Sequence, residues 1–414
     1  MINGGAALSG TVSTGGAKNS ALPLLFATLL ADGEYRFHNV PLLRDIDSTV
    51  VLLEHLDYTV DRDGGTLAVH AGECGHLDAP YDIVRKMRAS ILCLGPLLTR
   101  YGRAKVSLPG GCAIGTRPIN LHIEALQQMG AEIEIDHGFV VAKAKRLHGA
   151  CIVFENATVG GTENLMLAAT LAKGTTIIEN AAKEPEIVDL AECLVKMGAR
   201  IDGAGSSVIS IEGVEQLRPC SHKVIPDRIE AGTLLLAGAI TGGDVRINEC
   251  VPGHIDALIQ RMTECGFRID TGADWMRVLP CDSWRAVDVS TAPYPGFPTD
   301  LQAQFMALMT VARGTSVITE RIFENRFMHV QELVRMGANI TPKTQVSVVR
   351  GEPGSLNGAP VMATDLRASA SLVLAGLAAE GETIVNRIYH LDRGYEKLEA
   401  KLKRLGARIE RRAA

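Results

Sequence analysis

The chain has 414 residues, of which 46% are hydrophobic and 21% are charged, and its formal net charge is −5. This length predicts two or three domains with cores of ordinary size, and the composition differs from that of disordered chains. The acidic balance disfavours general nucleic-acid binding, and no apolar run reaches the roughly 18 residues that a membrane span needs. Nine cysteines without a C-x-x-C pair are typical of reduced thiols. We therefore expect a cytoplasmic α/β protein without a nucleic-acid or membrane partner.

An apolar helix that ends at a glycine and runs into a strand occurs six times along the chain. The glycines are spaced by 69, 72, 69, 71 and 67 residues, at Gly33, Gly102, Gly174, Gly243, Gly314 and Gly381. A second helix-ending glycine follows in each repeat, except that Asp57 takes its place in the first repeat. Glycine adopts the left-handed conformation that ends a helix at little cost. This self-similarity predicts six repeats of about 69 residues.

Each repeat has the pattern of a βαβαββ unit. The last two strands alternate polar and apolar residues around a glycine turn, which predicts a hairpin. The first helix is apolar nearly all round and is expected to be buried on every side, whereas the second is amphipathic. The sixth repeat lacks its final strand, and the segment before Leu8 resembles the missing part, so we expect the N-terminus to complete that repeat.

The repeats predict two domains of three units each. One domain is expected over residues 17–226 and contains the loop around Cys112. The other is expected to be discontinuous, with residues 1–16 and 227–414. The chain then crosses between the domains twice, near Gly16 and near Pro226, which is typical of a double hinge.

Polar residues occupy the start of the first helix in every repeat. They are Lys18, Asn19, Arg88, Gly160 to Thr162, Asp227, Arg228, Thr299, Asp300, Asp365 and Arg367. Helix N-termini present free amides and a partial positive charge, so added lysine and arginine side chains favour binding of phosphates or carboxylates. The alternative is that these residues serve only as helix caps and surface ion pairs.

The loop at residues 107–123 places Cys112 among three glycines. Arg117 lies close in sequence and lowers the expected thiol pKa below its usual value of about 8.5, which favours a reactive cysteine over an incidental exposed one. The other eight cysteines are expected in the core, because residues such as Cys93 and Cys193 lie in apolar helical patterns.

Asp300 has two possible roles, a helix cap or a general base for a hydroxyl. Arg326 and Arg393 follow strands and precede second helices, where they are either solvated charges or ligands for anions. No histidine and cysteine cluster has metal-ligand spacing, and neither a dinucleotide-binding glycine motif nor a P-loop is present. We therefore expect no metal and no other cofactor.

Six motifs together resemble those of the UDP-N-acetylglucosamine enolpyruvyl transferase family. In chain order they are GGAKNSALPLL, MRAS, SLPGGCAIGTRP, FPTDLQAQF, ENRFMH and ATDLRASASLVLAG, and they extend over essentially the whole chain. The resemblance implies two inside-out α/β barrel domains, each with three repeated units around buried helices. It also implies transfer of the enolpyruvyl group of phosphoenolpyruvate to the 3'-hydroxyl of UDP-N-acetylglucosamine, with release of phosphate, as the first committed step of peptidoglycan biosynthesis. The implied enzyme uses no metal, and we favour a monomer.

The same resemblance implies roles for individual residues. Cys112 is implied as the general acid, as the carrier of a 2-(S-cysteinyl)pyruvic acid O-phosphothioketal adduct and as the target of fosfomycin, and Asp300 as the base. The residues implied to hold phosphoenolpyruvate are Lys18, Asn19, Arg117 and Arg393, and Lys18 and Arg393 are also expected to act in catalysis. Those implied to contact the nucleotide sugar are Arg88, Arg117, Pro118, Ile119, Asn120, Leu121, Val159, Gly160, Asp300 and Ile322. Arg326, Asp365 and Arg367 are expected to complete the substrate site.

Two alternatives differ in what they require of the sequence. An enzyme that acts on shikimate 3-phosphate shares the implied fold and basic cleft but lacks the cysteine-bearing PGGC loop, so Cys112 argues against it. A non-catalytic sensor of nucleotide sugars would be expected to have lost Lys18, Cys112 or Asp300, and all three are present.

Overall fold

The computed structural model describes residues 1–85, 87–108 and 119–412. These residues form two compact units, one from the described residues of 16–225 and the other from residues 1–15 together with 226–412. Each unit has its own apolar core. Among the described residues, no helix combines the length and the apolar character needed to cross a membrane.

The first part of the chain contains three repeats and the two strands that precede them. The first group is β1 (Ile2–Asn3), β2 (Ser9–Ser13), α1 (Lys18–Ala27), β3 (Gly33–His38), α2 (Arg44–His55), β4 (Thr59–Asp63) and β5 (Thr66–Ala71). The second is β6 (Asp78–Ala79), α3 (Tyr81–Val84), α4 (Leu94–Tyr101), β7 (Arg103–Ser107), α5 (Asn120–Gln128), β8 (Glu132–Asp136) and β9 (Phe139–Lys143). The third is β10 (Cys151–Val153), α6 (Val159–Ala169), β11 (Thr175–Glu179), α7 (Pro185–Lys196), β12 (Arg200–Asp202) and β13 (Val208–Glu212).

The second part of the chain repeats the pattern three more times. The fourth group is β14 (Ser221–Lys223), α8 (Arg228–Ile240), β15 (Asp244–Asn248), α9 (Asp256–Cys265), β16 (Ile269–Thr271) and β17 (Trp275–Val278). The fifth is β18 (Val289–Ser290), α10 (Gln302–Thr310), β19 (Gly314–Thr319), α11 (Val330–Arg335), β20 (Asn339–Pro342) and β21 (Val346–Gly351). The sixth is β22 (Pro360–Met362), α12 (Leu366–Ala378), β23 (Glu382–Asn386), α13 (Leu398–Arg404) and β24 (Arg408–Ile409). The predicted α/β fold with six βαβαββ repeats is confirmed.

The sheets share one topology. In five of the six four-stranded sheets, the first strand pairs parallel with the second, and the hairpin that follows pairs antiparallel with the second, as in β10-β11-β13-β12. In the sixth sheet, β1 pairs antiparallel with both β23 and β24, with Ile2 opposite Thr383 and Ile409. The N-terminus therefore completes the sixth repeat, as predicted.

Two strands pair with sheets that lie far away in the sequence. Strand β2 precedes α1 but pairs parallel with β15, with Ser9 opposite Asp244. Strand β14 precedes α8 but pairs parallel with β3, with Ser221 opposite Arg36. Each of these strands therefore belongs to the sheet of the repeat three units away.

The first helix of the repeats lies inside its unit, as its uniform apolar character predicts. In α8, twelve residues from Ile229 to Ile240 are buried, and in α12 the buried run extends from Arg367 to Leu377. A second helix can bury one face only: α9 buries Leu258, Met262 and Cys265 among its ten residues. The sheets therefore cover buried helices, and the polar ends of these helices are the places where side chains reach a binding surface.

The positions that end the helices require a left-handed backbone. Gly102 ends α4 with a φ of 71°, and Gly266 ends α9 with a φ of 113°. Asp57, which replaces glycine after α2, adopts a φ of 68°. Aspartate tolerates this conformation better than most side chains, so the repeat keeps its geometry without glycine.

Candidate active site

Asp300 lies at the centre of a charged cluster in the unit formed by residues 1–15 and 226–412. It belongs to a 3₁₀ turn, Thr299–Leu301, that precedes α10. Its Oδ1 accepts a hydrogen bond from Nη2 of Arg326 at 2.7 Å. Its Oδ2 accepts from Arg367, with Nε at 3.1 Å and Nη2 at 3.0 Å. No side chain caps α10, so the contacts of Asp300 are those of a carboxylate held by two guanidinium groups rather than those of a helix cap.

Both guanidinium groups of the cluster are buried. The side chain of Arg326 is 6% exposed and that of Arg367 is 3% exposed, whereas that of Asp300 is 24% exposed. Burial acts to lower the pKa of Arg367, but Asp300, Tyr395 and Asp227 together outweigh burial and the pKa is raised. The burial of Arg326 therefore excludes the interpretation of this residue as a solvated charge. The carboxylate is the more accessible partner.

Glu320 organises the residues around Asp300, and sequence reasoning missed it. This buried carboxylate accepts hydrogen bonds from the hydroxyls of Thr291 and Thr299, both at 2.8 Å. It also accepts from the amides of Ile322 at 2.8 Å and Phe323 at 3.2 Å. Glu320 thereby fixes both the residue before Asp300 and the backbone of Ile322. An acidic residue directly after the predicted strand β19 was the available signal.

Asp365 is the N-cap of α12. Its Oδ1 accepts hydrogen bonds from the amides of Arg367 at 2.8 Å and Ala368 at 3.0 Å. It therefore sets the start of the helix that carries Arg367, whose Nη1 is buried without a hydrogen-bond partner among the described residues. Next to this cluster, burial lowers the pKa of His329 to about 4, with Asp365 opposing the shift and Arg326 adding to it. A buried donor on Arg367 without an acceptor is suited to a ligand oxygen.

Arg393 ends a 3₁₀ helix, Ile388–Arg393, and is half-buried. Gly394 follows it, and a Cβ there would lie 2.5 Å from a methyl carbon of Leu366, so the backbone packs closely against the start of α12. Arg393 and Asp300 both lie near that helix start.

Lys18 begins α1 in the unit formed by residues 16–225. It is buried, and its Nζ donates to Oδ2 of Asp45 on α2 at 3.1 Å. No side chain caps this helix, so the partial positive charge of its first turn and the ammonium group lie at the same end. Asn19 follows in the first turn and is half-buried. Asp45 offsets part of this positive charge, and the first turn of the helix together with the ammonium group favours an anionic ligand.

Arg88, His122 and Gly160 are brought together by the second and third repeats. Arg88 begins a 3₁₀ helix. Burial lowers the pKa of His122 to about 4, and the charge of Arg88 adds to this lowering. Nδ1 of His122 lies 3.0 Å from Nδ2 of Asn164 on α6. A Cβ on Gly160, in the first turn of the same helix, would lie 3.5 Å from the His122 ring. Val159 is the first residue of α6, so Val159 and Gly160 lie beside a neutral imidazole.

The segment at Ile119, Asn120 and Leu121 leads into α5. Ile119 and Leu121 are partly buried against the core, whereas Asn120 is exposed and donates to Oε1 of Glu124 at 3.2 Å. The predicted residues Cys112, Arg117 and Pro118 lie outside the described residues.

The prediction that the other cysteines lie in the core is wrong in part. Cys74, Cys93, Cys193, Cys250 and Cys265 are buried, but Cys151 is exposed and Cys220 and Cys281 are partly exposed. These three residues lie at strand starts and in connecting segments rather than in helices, so the helical pattern did not apply to them.

Comparisons with known proteins identify the family. The family model of EPSP synthase (3-phosphoshikimate 1-carboxyvinyltransferase) matches residues 2–402. A UDP-N-acetylglucosamine 1-carboxyvinyltransferase of Bdellovibrio bacteriovorus is 63% identical over 99% of both chains. Proteins of the same name from Geotalea daltonii and Myxococcus xanthus are each 56% identical, over 99% and 100% of this chain and 98% and 99% of theirs.

Solved structures agree with this assignment. The enolpyruvyl transferase NikO from Streptomyces tendae superposes with a TM-score of 0.89 and 28% identity, over 98% of this chain and 97% of that one. EPSP synthase from Acinetobacter baumannii has a TM-score of 0.76 at 18% identity, over 98% and 97% of the two chains, and thus shows the common fold. The chain therefore belongs to the EPSP synthase family of enolpyruvyl transferases and, within it, to the UDP-N-acetylglucosamine 1-carboxyvinyltransferases.

Proposed function

We propose that this protein transfers the enolpyruvyl group of phosphoenolpyruvate to the 3'-hydroxyl of UDP-N-acetylglucosamine and releases phosphate. The observation that carries the proposal is the 56–63% identity to enzymes of that name over nearly the whole chain. The shikimate 3-phosphate alternative rests on the name of the matching family model and on a fold shared at 17–18% identity, whereas the relatives at 56–63% identity carry the nucleotide-sugar name. The nucleotide-sugar acceptor is therefore the better supported one.

The reaction is an addition followed by an elimination. In the addition, the acceptor hydroxyl oxygen bonds to C2 of phosphoenolpyruvate, Cys112 donates a proton to the C3 methylene, and the hydroxyl proton passes to Asp300. In the elimination, the Cys112 thiolate takes a proton from the new methyl group, the bond from C2 to the phosphate oxygen breaks, Asp300 gives its proton to the departing phosphate, and the enol ether and phosphate result. General acid and base groups of this kind contribute roughly 10²–10⁴ in rate.

The contacts of Asp300 determine what kind of base it is. Two buried guanidinium groups at 2.7–3.1 Å favour its ionised form and fix its orientation. Asp300 therefore meets the acceptor hydroxyl in a fixed orientation, and this positioning is the contribution that its contacts support.

Fixed cations supply the binding of the anionic substrates. Lys18, Asn19, Arg117 and Arg393 hold the phosphate and carboxylate of phosphoenolpyruvate, and the tetrahedral intermediate carries both of these groups. The nucleotide sugar contacts Arg88, the run from Arg117 to Leu121, Val159, Gly160 and Ile322, and Arg326, Asp365 and Arg367 hold Asp300 in place. Lys18 is held by its ion pair with Asp45 before the reaction, so this ammonium group stabilises developing charge without rearrangement. The proposed mechanism needs no metal and no other cofactor.

We propose that the protein acts in the cytoplasm on two soluble substrates, and we favour a monomer. Its product begins the synthesis of peptidoglycan, and the protein thereby serves cell-wall formation, cell shape and cell division. Covalent modification of Cys112 by fosfomycin would stop this supply.

A phosphate-release assay with purified protein tests the function directly. Phosphate should appear only when phosphoenolpyruvate and UDP-N-acetylglucosamine are both present, with one phosphate for each nucleotide sugar consumed. Shikimate 3-phosphate in place of the nucleotide sugar is the matched control and should give no phosphate. Phosphate release with phosphoenolpyruvate and shikimate 3-phosphate, but not with UDP-N-acetylglucosamine, would reverse the assignment. No phosphate release with either acceptor would contradict both enzymatic functions.

A further inference from the structure

Two cysteines outside the proposed active site lie close enough to react with each other. Cys193 is in the last turn of α7, and Cys220 directly precedes β14. Their sulfur atoms are 3.6 Å apart, and the Cys220 thiol also lies 3.9 Å from the carbonyl oxygen of Cys193. A disulfide bond is about 2.05 Å long, so the sulfurs need to approach by only about 1.5 Å. The two thiols therefore form a preassembled pair rather than two separate core residues.

The two cysteines differ in their access to solvent. Cys193 is fully buried, whereas Cys220 is partly exposed. Cys220 is therefore the more accessible of the two residues to a small oxidant. This asymmetry is what a reactive thiol and a resolving thiol require, because the first must meet the oxidant and the second must meet only its partner.

A row of polar groups runs beside the pair. Nζ of Lys196 donates to Nδ1 of His222 at 2.9 Å, and Nε2 of His222 donates to Oδ1 of Asp189 at 2.7 Å. The side chains of His222 and Asp189 are 2% and 1% exposed, so α7 and β14 are already joined by a buried hydrogen bond. Closing a disulfide between the same two elements therefore needs no separation of packed segments.

The electrostatics favour ionisation of the accessible thiol. The hydrogen bond from Cys193 lowers the pKa of Cys220 to about 7, against the opposing effect of burial, and Lys196 adds to the lowering. The hydrogen bond to Cys220 and burial raise the pKa of Cys193. Since the thiolate is the nucleophile, Cys220 is the sulfur that reacts first.

We propose that Cys193 and Cys220 are a redox-active dithiol that hydrogen peroxide converts to an intramolecular disulfide. The Cys220 thiolate attacks one peroxide oxygen, the O–O bond breaks, and Cys220 becomes a sulfenic acid while hydroxide leaves. The Cys193 sulfur then displaces the sulfenic hydroxyl, which leaves as water with the thiol proton, and the S–S bond forms. Peroxide is reduced by two electrons and the two thiols are oxidised by two.

Peptide mapping tests the proposal on the intact chain. After peroxide treatment, alkylation of free thiols and digestion with trypsin, Cys193 lies in the peptide 184–196 and Cys220 in the peptide 201–223, because the Arg218–Pro219 bond resists cleavage. Each peptide contains a single cysteine, so their linkage is unambiguous. We expect a disulfide-linked species whose mass is the sum of the two unmodified peptides less two hydrogen atoms. Both alkylated peptides should be lost after peroxide treatment and recovered after reduction with dithiothreitol.

Variants and an internal reference make the test specific. Cys193→Ser should abolish the linked species and leave a sulfenic acid at Cys220 that dimedone traps, whereas Cys220→Ser should leave Cys193 unreactive. The buried Cys93, which lies outside the pair, should remain alkylated to the same extent throughout. Full alkylation of both Cys193 and Cys220 after peroxide has consumed Cys112 would overturn the proposal. A linkage that appears only in covalent dimers on a non-reducing gel would overturn its intramolecular form.

Discussion

Replacement of Asp300 by asparagine separates its proposed chemical role from its structural one. Asn keeps the shape of the side chain but offers one carbonyl oxygen and an NH₂ group in place of two acceptors. In the native protein, Asp300 accepts from Arg326 on one oxygen and from Arg367 on the other. At least one guanidinium group therefore loses its acceptor, and the two buried cations remain without the charge that offset them.

The contacts give the size of the expected effects. A hydrogen bond to a charged group contributes about 1.5–3 kcal/mol, and breaking a fully buried ion pair costs about 3–5 kcal/mol. Because the Asp300 side chain is 24% exposed, we expect a loss near the lower of these ranges, about 2 kcal/mol in the free energy of unfolding. Turnover should fall by about 10² or more because the base is missing, while binding of UDP-N-acetylglucosamine weakens only modestly.

Asp244→Asn is the matched control. Asp244 accepts two hydrogen bonds from Arg277, both at 2.6 Å, between β15 and β17, and its side chain is 34% exposed. Loss of the Asp244 charge should lower the free energy of unfolding by about 1 kcal/mol or less and leave turnover unchanged. Chemical denaturation measures the stabilities, and steady-state phosphate release measures kcat and KM. Near-normal turnover of Asp300→Asn, at a temperature where circular dichroism shows a folded protein, would refute its role as the base and leave it as an anchor for two arginines.

Three further predictions concern other parts of the molecule. Cys112→Ser should abolish most turnover and prevent alkylation by fosfomycin, whereas Cys112→Asp should retain turnover and resist the inhibitor; wild-type activity that survives stoichiometric fosfomycin would contradict the assigned role. Glu320→Gln keeps one of two acceptor oxygens and should lower kcat/KM about tenfold, equivalent to about 1.4 kcal/mol. The control Glu212→Gln alters an exposed ion pair with Arg200 and should leave kcat/KM unchanged. A normal kcat/KM in Glu320→Gln would show that its four contacts do not position the site. His329 is buried, and its pKa is lowered to about 4, below its unfolded value of about 6.5. The stability that neutral His329 contributes is therefore complete above pH 6.5. It is lost as the pH falls towards 4, by about 1.4 kcal/mol per pH unit. His329→Gln should therefore lose less stability than the wild type between pH 7 and pH 5 in thermal unfolding, whereas the exposed His70→Gln should follow the wild type, and equal losses in all three proteins would argue against a neutral buried His329.

The repeated architecture was predictable because it depends on local sequence patterns. The spacing of Gly33, Gly102 and their equivalents marks the end of each first helix, and the apolar character of that helix indicates its burial. Even the pairing of β1 with β24 followed from a hairpin strand missing at the other end of the chain. These inferences hold because helix ends, periodicity and turns depend on residues close in sequence.

The partners of the charged side chains could not be derived in the same way. Arg326 precedes an amphipathic helix, where a solvated charge was an equally good interpretation, yet it is buried against Asp300. Glu320 follows a strand without any motif around it, and Cys220 meets Cys193 across a separation of 27 residues. Local patterns place each of these residues on a helix end or beside a strand, but they do not select its neighbour. That choice depends on how the helices and sheets pack, since a buried charge or thiol must find its partner among whatever side chains the packing brings within about 4 Å.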